Sequence, residues 1–343
     1  MSHRIDLLPP TCPAHFARPR ARPLARPLAR PLSPTTCPDH FARPLSRRFP
    51  PTRHTPPIPL RSPWKPTANE PKLSDRRSTW SSAAAALERA SSVIVVGGGP
   101  VGVELAAEIA AARPHLDITL VSRSKRLCSA MPPQVHERCE AWLECRGVRL
   151  VLGADVRELS ESGCTLADGT QLDADVLYQC MGFRPATGAL RTHFRERLDQ
   201  SGALVVNEFL QLKPHVYAMG DAIVHRASNE LKLAHTAELN AALVVENVRR
   251  QHRGDPLLTY PDGIVGSDRS PRVFCVSLGP HHGVVAFNGL VVGGVIAPIT
   301  KWLIEWTKVA ACAERPVGVL FWRFGDWFSC LLSRTVLRPV GEH

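Results

Sequence analysis

The chain shows no hydrophobic period over its first sixty or so residues and then acquires one, so order is predicted from near Trp64. Ser78 to Ala90 reads as a helix, with Ser78 as its N-cap and alanines and Leu87 after it. Val93 to Val96 is an apolar run of strand length. It meets Gly97, Gly98 and Gly99 and passes into an alanine-rich helical pattern from Pro100. Asp117 to Val121 is a second strand. Arg138 to Arg146 closes another helix, with Trp142 and Leu143 on its apolar side. Short strands follow at Gly147 to Leu152, Val156 to Leu159, Cys164 to Ala167 and Gln171 to Leu172, parted by turn residues such as Asp168-Gly169. Asp175 to Cys180 reads as another buried strand. Leu204 to Leu210 and His215 to Ala218 are two more strands, and Leu233 to Val248 is a helix. Strands joined through helices predict an α/β fold around parallel sheet.

The glycines between the first strand and its helix carry the first chemistry. Gly97, Gly99 and Gly102 have the spacing G-x-G-x-x-G. The first glycine permits a tight turn, the second lets a pyrophosphate approach the backbone, and the third lets helix and strand pack closely. The free N–H groups at the helix start, with the helix dipole behind them, suit phosphate. The bland alternative is a plain glycine turn in a parallel sheet. The position after the next strand selects the nucleotide: a carboxylate there bonds the ribose of NAD, and an arginine suits the phosphate of NADP. Here the strand ends Leu120-Val-Ser122-Arg123, with Lys125 and Arg126 beyond and no carboxylate. That tip leans toward NADPH or dual use, the alternative being a solvated basic turn.

A second signal lies about 120 residues further on. His215-Val-Tyr-Ala-Met-Gly-Asp-Ala222 is a strand that delivers a glycine and an acid at its carboxyl end, and a helix starts eleven residues after Ala222. A carboxylate so placed can accept bonds from sugar hydroxyls, and the helix start can face a phosphate or an anionic ring edge.

With both glycine motifs and Cys180-Met-Gly182 in place, the chain resembles the pyridine nucleotide-disulfide oxidoreductase superfamily. Its nearest branch is the apoptosis-inducing-factor-like flavoproteins of the ferroptosis-suppressor type. Val276-Ser-Leu-Gly279, His282-Gly-Val and Lys301-Trp-Leu-Ile-Glu-Trp-Thr-Lys308 are similar to that branch's last domain, and the resemblance spans about residues 64 to 335. It implies a three-layer Rossmann-like FAD/NAD(P)-binding fold with a partial FAD domain and a C-terminal α+β region. The expected division is a repeat tail over 1–63, an NAD(P)-binding domain over 64–200, a partial FAD-binding domain over 201–265 and a C-terminal domain over 266–343. The resemblance implies FAD and NAD(P)H as cofactors and a quinone-like electron acceptor. By motif, Gly97, Gly98, Gly99, Pro100, Val101 and Gly102 hold the NAD(P)H pyrophosphate, and Ser122 and Arg123 meet the adenosine ribose. Met181 and Gly182 lie beside the nucleotide. Glu104 is the catalytic candidate near the nicotinamide and flavin, or else a satisfied helix carboxylate. Gly220 and Asp221 take the flavin ribityl and phosphate region. Ala234, Ala237 and Lys232 face the flavin, with a solvent-facing Lys232 as the alternative. Family members carry a first G-x-G-x-x-G for FAD. No second such motif occurs in this sequence, so the FAD half is expected to be incomplete, and the lysine that usually partners Glu104 is expected to lie in the missing part. A remnant that binds NAD(P) without flavin and without reductase activity is the competing reading.

Composition refines this picture. Of a formal charge of +11, about +10 falls on residues 1 to 66, so the body is near neutral and its high pI is no nucleic-acid footprint. No nucleic-acid partner is expected. Thr11-Cys-Pro-Ala-His-Phe-Ala-Arg-Pro19 recurs as Thr36-Cys-Pro-Asp-His-Phe-Ala-Arg-Pro44, and more than half of the 31 prolines lie in this region. A disordered repeat tail, an organelle transit segment and a membrane- or phosphate-contacting arm remain open for it. The ten cysteines contain no C-x-x-C pair, which argues against a redox disulfide or a zinc module. His281 and His282 lack partners at ligand spacing, and no metal is expected. Gly289 to Ile299, Trp302 to Trp306 and Val317 to Leu332 are apolar and tryptophan-rich, with Lys301, Lys308, Arg323 and Arg334 placed to meet lipid headgroups. A core helix or an interface is the alternative. The cytoplasm is the expected location, with membrane attachment and organelle targeting left open.

Overall fold

The computed structural model describes Glu70 and residues 72–182, 185–225, 232–260 and 273–335. The Arg/Pro repeats and the three readings of them lie outside the described residues. Helix α1 (Leu73–Arg89) begins more than a turn before the predicted Ser78. The Asp75 carboxylate accepts the Lys72 N–H at 3.1 Å, which starts the helix there instead.

The nucleotide unit follows in chain order: β1 (Ser92–Val96), α2 (Pro100–Ala112), β2 (Asp117–Ser122), α3 (Pro133–Cys145), β3 (Arg149–Leu152), β4 (Val156–Leu159), β5 (Gly163–Leu166), β6 (Gln171–Asp173) and β7 (Val176–Gln179). β1, β2, β3 and β7 form a parallel sheet in the order β3-β2-β1-β7, with Val96 opposite Val121 on one side and Gln179 on the other. β4, β5 and β6 make a separate antiparallel sheet. The alternation of side chains along β1 explains the layering. Val93 and Val95 enter a core with Val103 and Ala107 of α2 and Leu143 of α3. Ile94 and Val96 face the other way, into a core with Cys164, Leu166 and Leu177. Helices, parallel sheet and antiparallel sheet thus stack as three layers. Each β1 side chain from Val93 to Val96 is at most 3% exposed, and such burial contributes about 1.5–3 kcal/mol apiece.

A second unit contains α4 (Arg191–Phe194), β8 (Leu204–Val206), β9 (Gln211–Lys213), β10 (Val216–Tyr217), β11 (Ile223–His225) and α5 (Ala234–Arg253). β8 and β11 pair in parallel, and β9 and β10 antiparallel. The single strand expected over Leu204 to Leu210 is therefore broken. Asn207 is the cause: its Oδ1 accepts the N–H groups of Phe209 at 3.1 Å and Gln211 at 2.8 Å, which turns the chain. α5 outlasts its predicted end at Val248, because Glu246 and Arg250 pair at 3.1 Å and the helix closes on Gly254 at φ 78.

The C-terminal part has β12 (Val273–Ser277), β13 (Gly283–Phe287) and β14 (Leu290–Gly293) as an antiparallel sheet, then α6 (Ile296–Cys312) and α7 (Pro316–Thr335) as a helical hairpin. The apolar run from Gly289 to Ile299 is thus divided between β14 and the start of α6. Val276, Leu278, Val284 and Ala286 belong to the same buried cluster as Val93 and Val103. This sheet is consequently fused to the nucleotide unit's helical face. The helices are not buried in turn: Ile299, Trp302, Leu320, Phe321, Phe324 and Trp327 are all more than half exposed. Among the described residues no helix is long and apolar enough to cross a membrane.

Candidate functional site

The glycine turn sits where β1 lies between β2 and β7, at the carboxyl ends of all three. This is the point at which strand order reverses in an open α/β sheet. Gly97 has φ 124, and a side chain on it would run into the Cys180 carbonyl. One on Gly98 would strike Ser122, and one on Gly102 would strike the Gly97 carbonyl. Three glycines are therefore demanded by the protein's own packing. Gly99 is different, because a side chain there would meet nothing. Its carbonyl accepts the Val103 N–H at 3.0 Å, α2 has no side-chain cap, and Pro100 opens the helix. An uncapped helix start with open space before it is a cradle for an anion.

The surrounding residues converge on the same end of the sheet. Ser122 is buried under Gly98, and Arg123 is exposed at the end of β2. Met181, 55% exposed, and Gly182, at φ 83, follow β7 on the other side. The Cys128 N–H donates to the Gly98 carbonyl at 2.7 Å and braces the turn from behind. Cys128 also bonds the Cys139 side chain, which together with burial pushes the Cys139 thiol far above its ordinary range. Cys139 therefore stays neutral and acts as packing.

Glu104 lies one turn into α2. Its Oε1 accepts from Lys301 Nζ at 2.7 Å and from the Ser277 N–H at 2.9 Å, while Lys301 also reaches Ser277 Oγ at 2.9 Å. Among the described residues the cation that meets this carboxylate is Lys301 of α6, a partner the sequence did not point to. Beside this triad, burial pushes the Cys275 thiol up, with the Lys301 ammonium opposing it. Lys308, one heptad on from Lys301, pairs with Glu238 of α5 and stands over the Trp322 ring at 3.4 Å from its centroid. The placement of these two lysines against lipid headgroups is corrected by the same contacts, since both meet carboxylates. Arg323 is exposed, and the Arg334 side chain lies outside the described residues.

The second cluster is built on a single 3-10 turn over Gly220–Ala222, against the first turns of α5. Gly220 has φ 69, and a side chain on it would touch Ala237 at 3.4 Å. Asp221 and Ala234 are exposed, and Lys232 and Ala237 are half-buried. Asn240 was not legible as a site residue. It is fully buried, its Oδ1 accepts the Gly220 N–H at 3.0 Å, and its Nδ2 has no partner among the described residues. A buried amide donor left unspent costs about 1–3 kcal/mol, so a polar occupant beside Gly220 would be stabilising. The Gly97 turn and the Gly220 turn are thus each tied to α6, through Glu104 and through Glu238. Lys301 and Ser277 were also missed. Both lie in segments quoted for the resemblance without a role, and the seven-residue spacing of Lys301 and Lys308, which puts both on one face of a helix, was the further signal for the lysines.

Comparison with known proteins agrees with this geometry. A model of the pyridine nucleotide-disulphide oxidoreductase family matches residues 61–241. Ferroptosis suppressor protein 1 of Xenopus tropicalis is 32% identical over 228 residues, covering 63% of this chain and 58% of that protein. The Homo sapiens protein of the same name is 32% identical over 227 residues, with the same coverages. The FAD-dependent oxidoreductase FVFD30 of Flammulina velutipes is 28% identical over 237 residues, covering 66% of this chain and 71% of that protein. The chain thus spans somewhat under three fifths of the length of the two ferroptosis suppressor proteins. With a parallel sheet, a glycine turn at its switch point and the family model matched over more than half its length, the chain belongs to the pyridine nucleotide-disulphide oxidoreductase family.

Proposed function

We propose that this chain is an FAD-dependent NAD(P)H oxidoreductase that passes electrons to a quinone-like acceptor. The observation that carries the reading is the contrast within the glycine turn. Gly97, Gly98 and Gly102 are required by packing, whereas Gly99 opens onto an uncapped helix start. A turn with only a structural role has no need of that fourth glycine.

The residues present fit NAD(P)H. Gly97 to Gly102, with Pro100 and Val101, would hold the pyrophosphate, Ser122 and Arg123 the adenosine ribose, and Met181 and Gly182 the flank of the nucleotide. The fit to FAD is narrower and rests on Gly220, Asp221, Lys232, Ala234 and Ala237. The unspent Asn240 amide beside them is the donor such a ligand would engage. Bound FAD supplies acceptance of hydride from NAD(P)H and delivery of electrons to the acceptor. The protein's part is to orient the two nucleotides and to fix charge between them. Glu104 and Lys301 pair at 2.7 Å, so the charge of that carboxylate is compensated. The relatives named ferroptosis suppressor protein 1 and FAD-dependent oxidoreductase support the activity, and a lipid-soluble acceptor fits the exposed aromatic face of α6 and α7. That face would rest on a membrane surface, with Trp302 and Trp327 at the boundary.

The test is turnover. The purified chain, supplied with FAD, is expected to oxidise NAD(P)H only when a quinone is present. A flavin-loaded protein that leaves NAD(P)H untouched would contradict the activity, and a folded protein that binds NAD(P)H but never FAD would favour the remnant reading.

A further inference from the structure

We infer that the aromatic face of the α6–α7 hairpin is a docking groove for the chain's own Ala-Arg-Pro-Leu repeats at residues 21–32, which cover it when no lipid does. The inference is independent of the oxidoreductase reading. It names what lies on this face in water, where the lipid contact proposed above is absent.

The exposed rings are ordered in ladders. Trp302 and Trp306, one turn apart on α6, are 62% and 39% exposed, and their rings lie 6.4 Å apart at 18°. Phe324 and Phe328 repeat the arrangement on α7, 6.0 Å apart at 8°. Phe321 joins the two ladders through an edge contact with Trp306 at 6.1 Å. Near-parallel rings one turn apart leave shallow slots between them, and proline-rich segments bind aromatic-lined grooves of this kind. The charge beside the tryptophans is negative. Glu305, next to Trp306 and less than a turn from Trp302, is exposed and forms no ion pair among the described residues. The lysines of α6 are already engaged by Glu104 and Glu238. Arg323, two residues from Phe321, falls on the far side of α7 from that ring. Glu314 and Arg315 at the hairpin turn offset one another.

The sequence supplies a matching occupant. Ala-Arg-Pro-Leu begins at Ala21, Ala25 and Ala29, and again at Ala42. Each copy brings a proline and a leucine for the slots between rings, and an arginine for a ring face or for Glu305. Proline sets its own φ and drives the residue before it to extended backbone, so docking of Arg-Pro pairs loses little conformational freedom. The tether is long enough. Thirty-seven residues separate Leu32 from Glu70, and a chain of that length spans on average about 30–37 Å. A folded body of this size has a radius of gyration of about 18 Å. Tethering presents the repeats at an effective concentration on the order of 1 mM. A contact with a dissociation constant of about 1 mM then covers half the molecules. A foreign segment of the same affinity stays unbound at micromolar concentration, which favours the chain's own repeats. Lipid reaches the face only by displacing them.

Photo-cross-linking of the full chain carrying Phe324→p-benzoylphenylalanine tests this, with the joined peptides read by mass spectrometry. Phe324 is more than half exposed, and circular dichroism verifies that the variant folds. Cross-links are expected to residues 21–32 of the same chain, at a yield independent of protein concentration. Adding Arg22→Ser, Arg26→Ser and Arg30→Ser together should weaken docking about tenfold and cut the yield about fivefold. Glu305→Lys should act in the same sense, and phosphatidylcholine vesicles should compete the cross-link away. Cross-links confined to other segments, a yield that the arginine variant leaves unchanged, or links that join two chains and grow with concentration overturn the inference. Vesicle binding without any cross-link to the repeats overturns the cover and leaves the lipid reading standing. A cross-link to the repeats that vesicles do not diminish supports the cover and removes lipid from this face.

Discussion

At the scale of single residues, adjacent glycines in one turn have different jobs, and substitution separates them. Gly102→Ala places a methyl group against the Gly97 carbonyl, which neither backbone segment can avoid. The expected cost is about 1–3 kcal/mol of stability, read as a lowered melting temperature. Gly99→Ala meets no atom of the protein. Its stability should stay within about 0.5 kcal/mol of wild type while nucleotide affinity falls, because only the ligand's approach is blocked. A Gly99→Ala protein that binds nucleotide as tightly as wild type would remove phosphate from that position. The cysteines give a second residue-scale outcome. Cys139 is completely buried and its thiol pKa is pushed far up, whereas Cys312 is exposed. Only a thiolate reacts readily with iodoacetamide, so peptide mass spectrometry should find Cys312 labelled in the native protein and Cys139 labelled only after unfolding.

At the scale of elements, α6 is the piece whose role the chain's pattern concealed. Its apolar and aromatic residues suggested a membrane-facing or core helix, and its lysines suggested headgroup contacts. In the fold, Lys301 and Lys308 instead reach Glu104 on α2 and Glu238 on α5. Long-range pairing of this kind leaves no local trace, since the partners are separated by 197 and 70 residues. The Rossmann-type unit was legible for the opposite reason. Its strand, glycine turn and helix are contiguous, and each obeys its own period, as Val93 to Ala112 show. Asn240 escaped notice because a lone asparagine in a helix has no distinguishing neighbour, and only the fold brings it under Gly220. Strand ends were misjudged where a side chain captured the backbone, as Asn207 does in the interrupted β8 segment. The element-scale prediction concerns docking. Lys301 is 43% exposed and Glu104 is 27% exposed, so their pair should be worth at most about 1 kcal/mol after screening by solvent. Lys301→Met should therefore leave the fold intact and hasten amide hydrogen exchange at the start of α6. Unaltered exchange there would mean that apolar packing alone holds the helix.

At the scale of the whole molecule, two features extend beyond the sheet. The exposed aromatic face of α6 and α7 should carry the chain to lipid. Co-sedimentation with anionic vesicles should fall sharply for Trp302→Glu or Phe324→Glu, and vesicle binding unchanged by both would separate this face from any membrane role. The second feature is the unequal definition of the two nucleotide sites. The Gly97 turn has an unhindered glycine before an uncapped helix start, and the Gly220 turn offers a glycine, an acid, a helix start and a buried amide donor. The proposed electron transfer depends on both being filled together. The most direct test is the visible spectrum of the purified chain, loaded with FAD under anaerobic conditions and titrated with NADPH. The account predicts a bound flavin whose absorbance near 450 nm (a property of flavin itself) bleaches on addition of one equivalent. A chain that retains no flavin, or a bound flavin that stays yellow in excess NADPH, would contradict it.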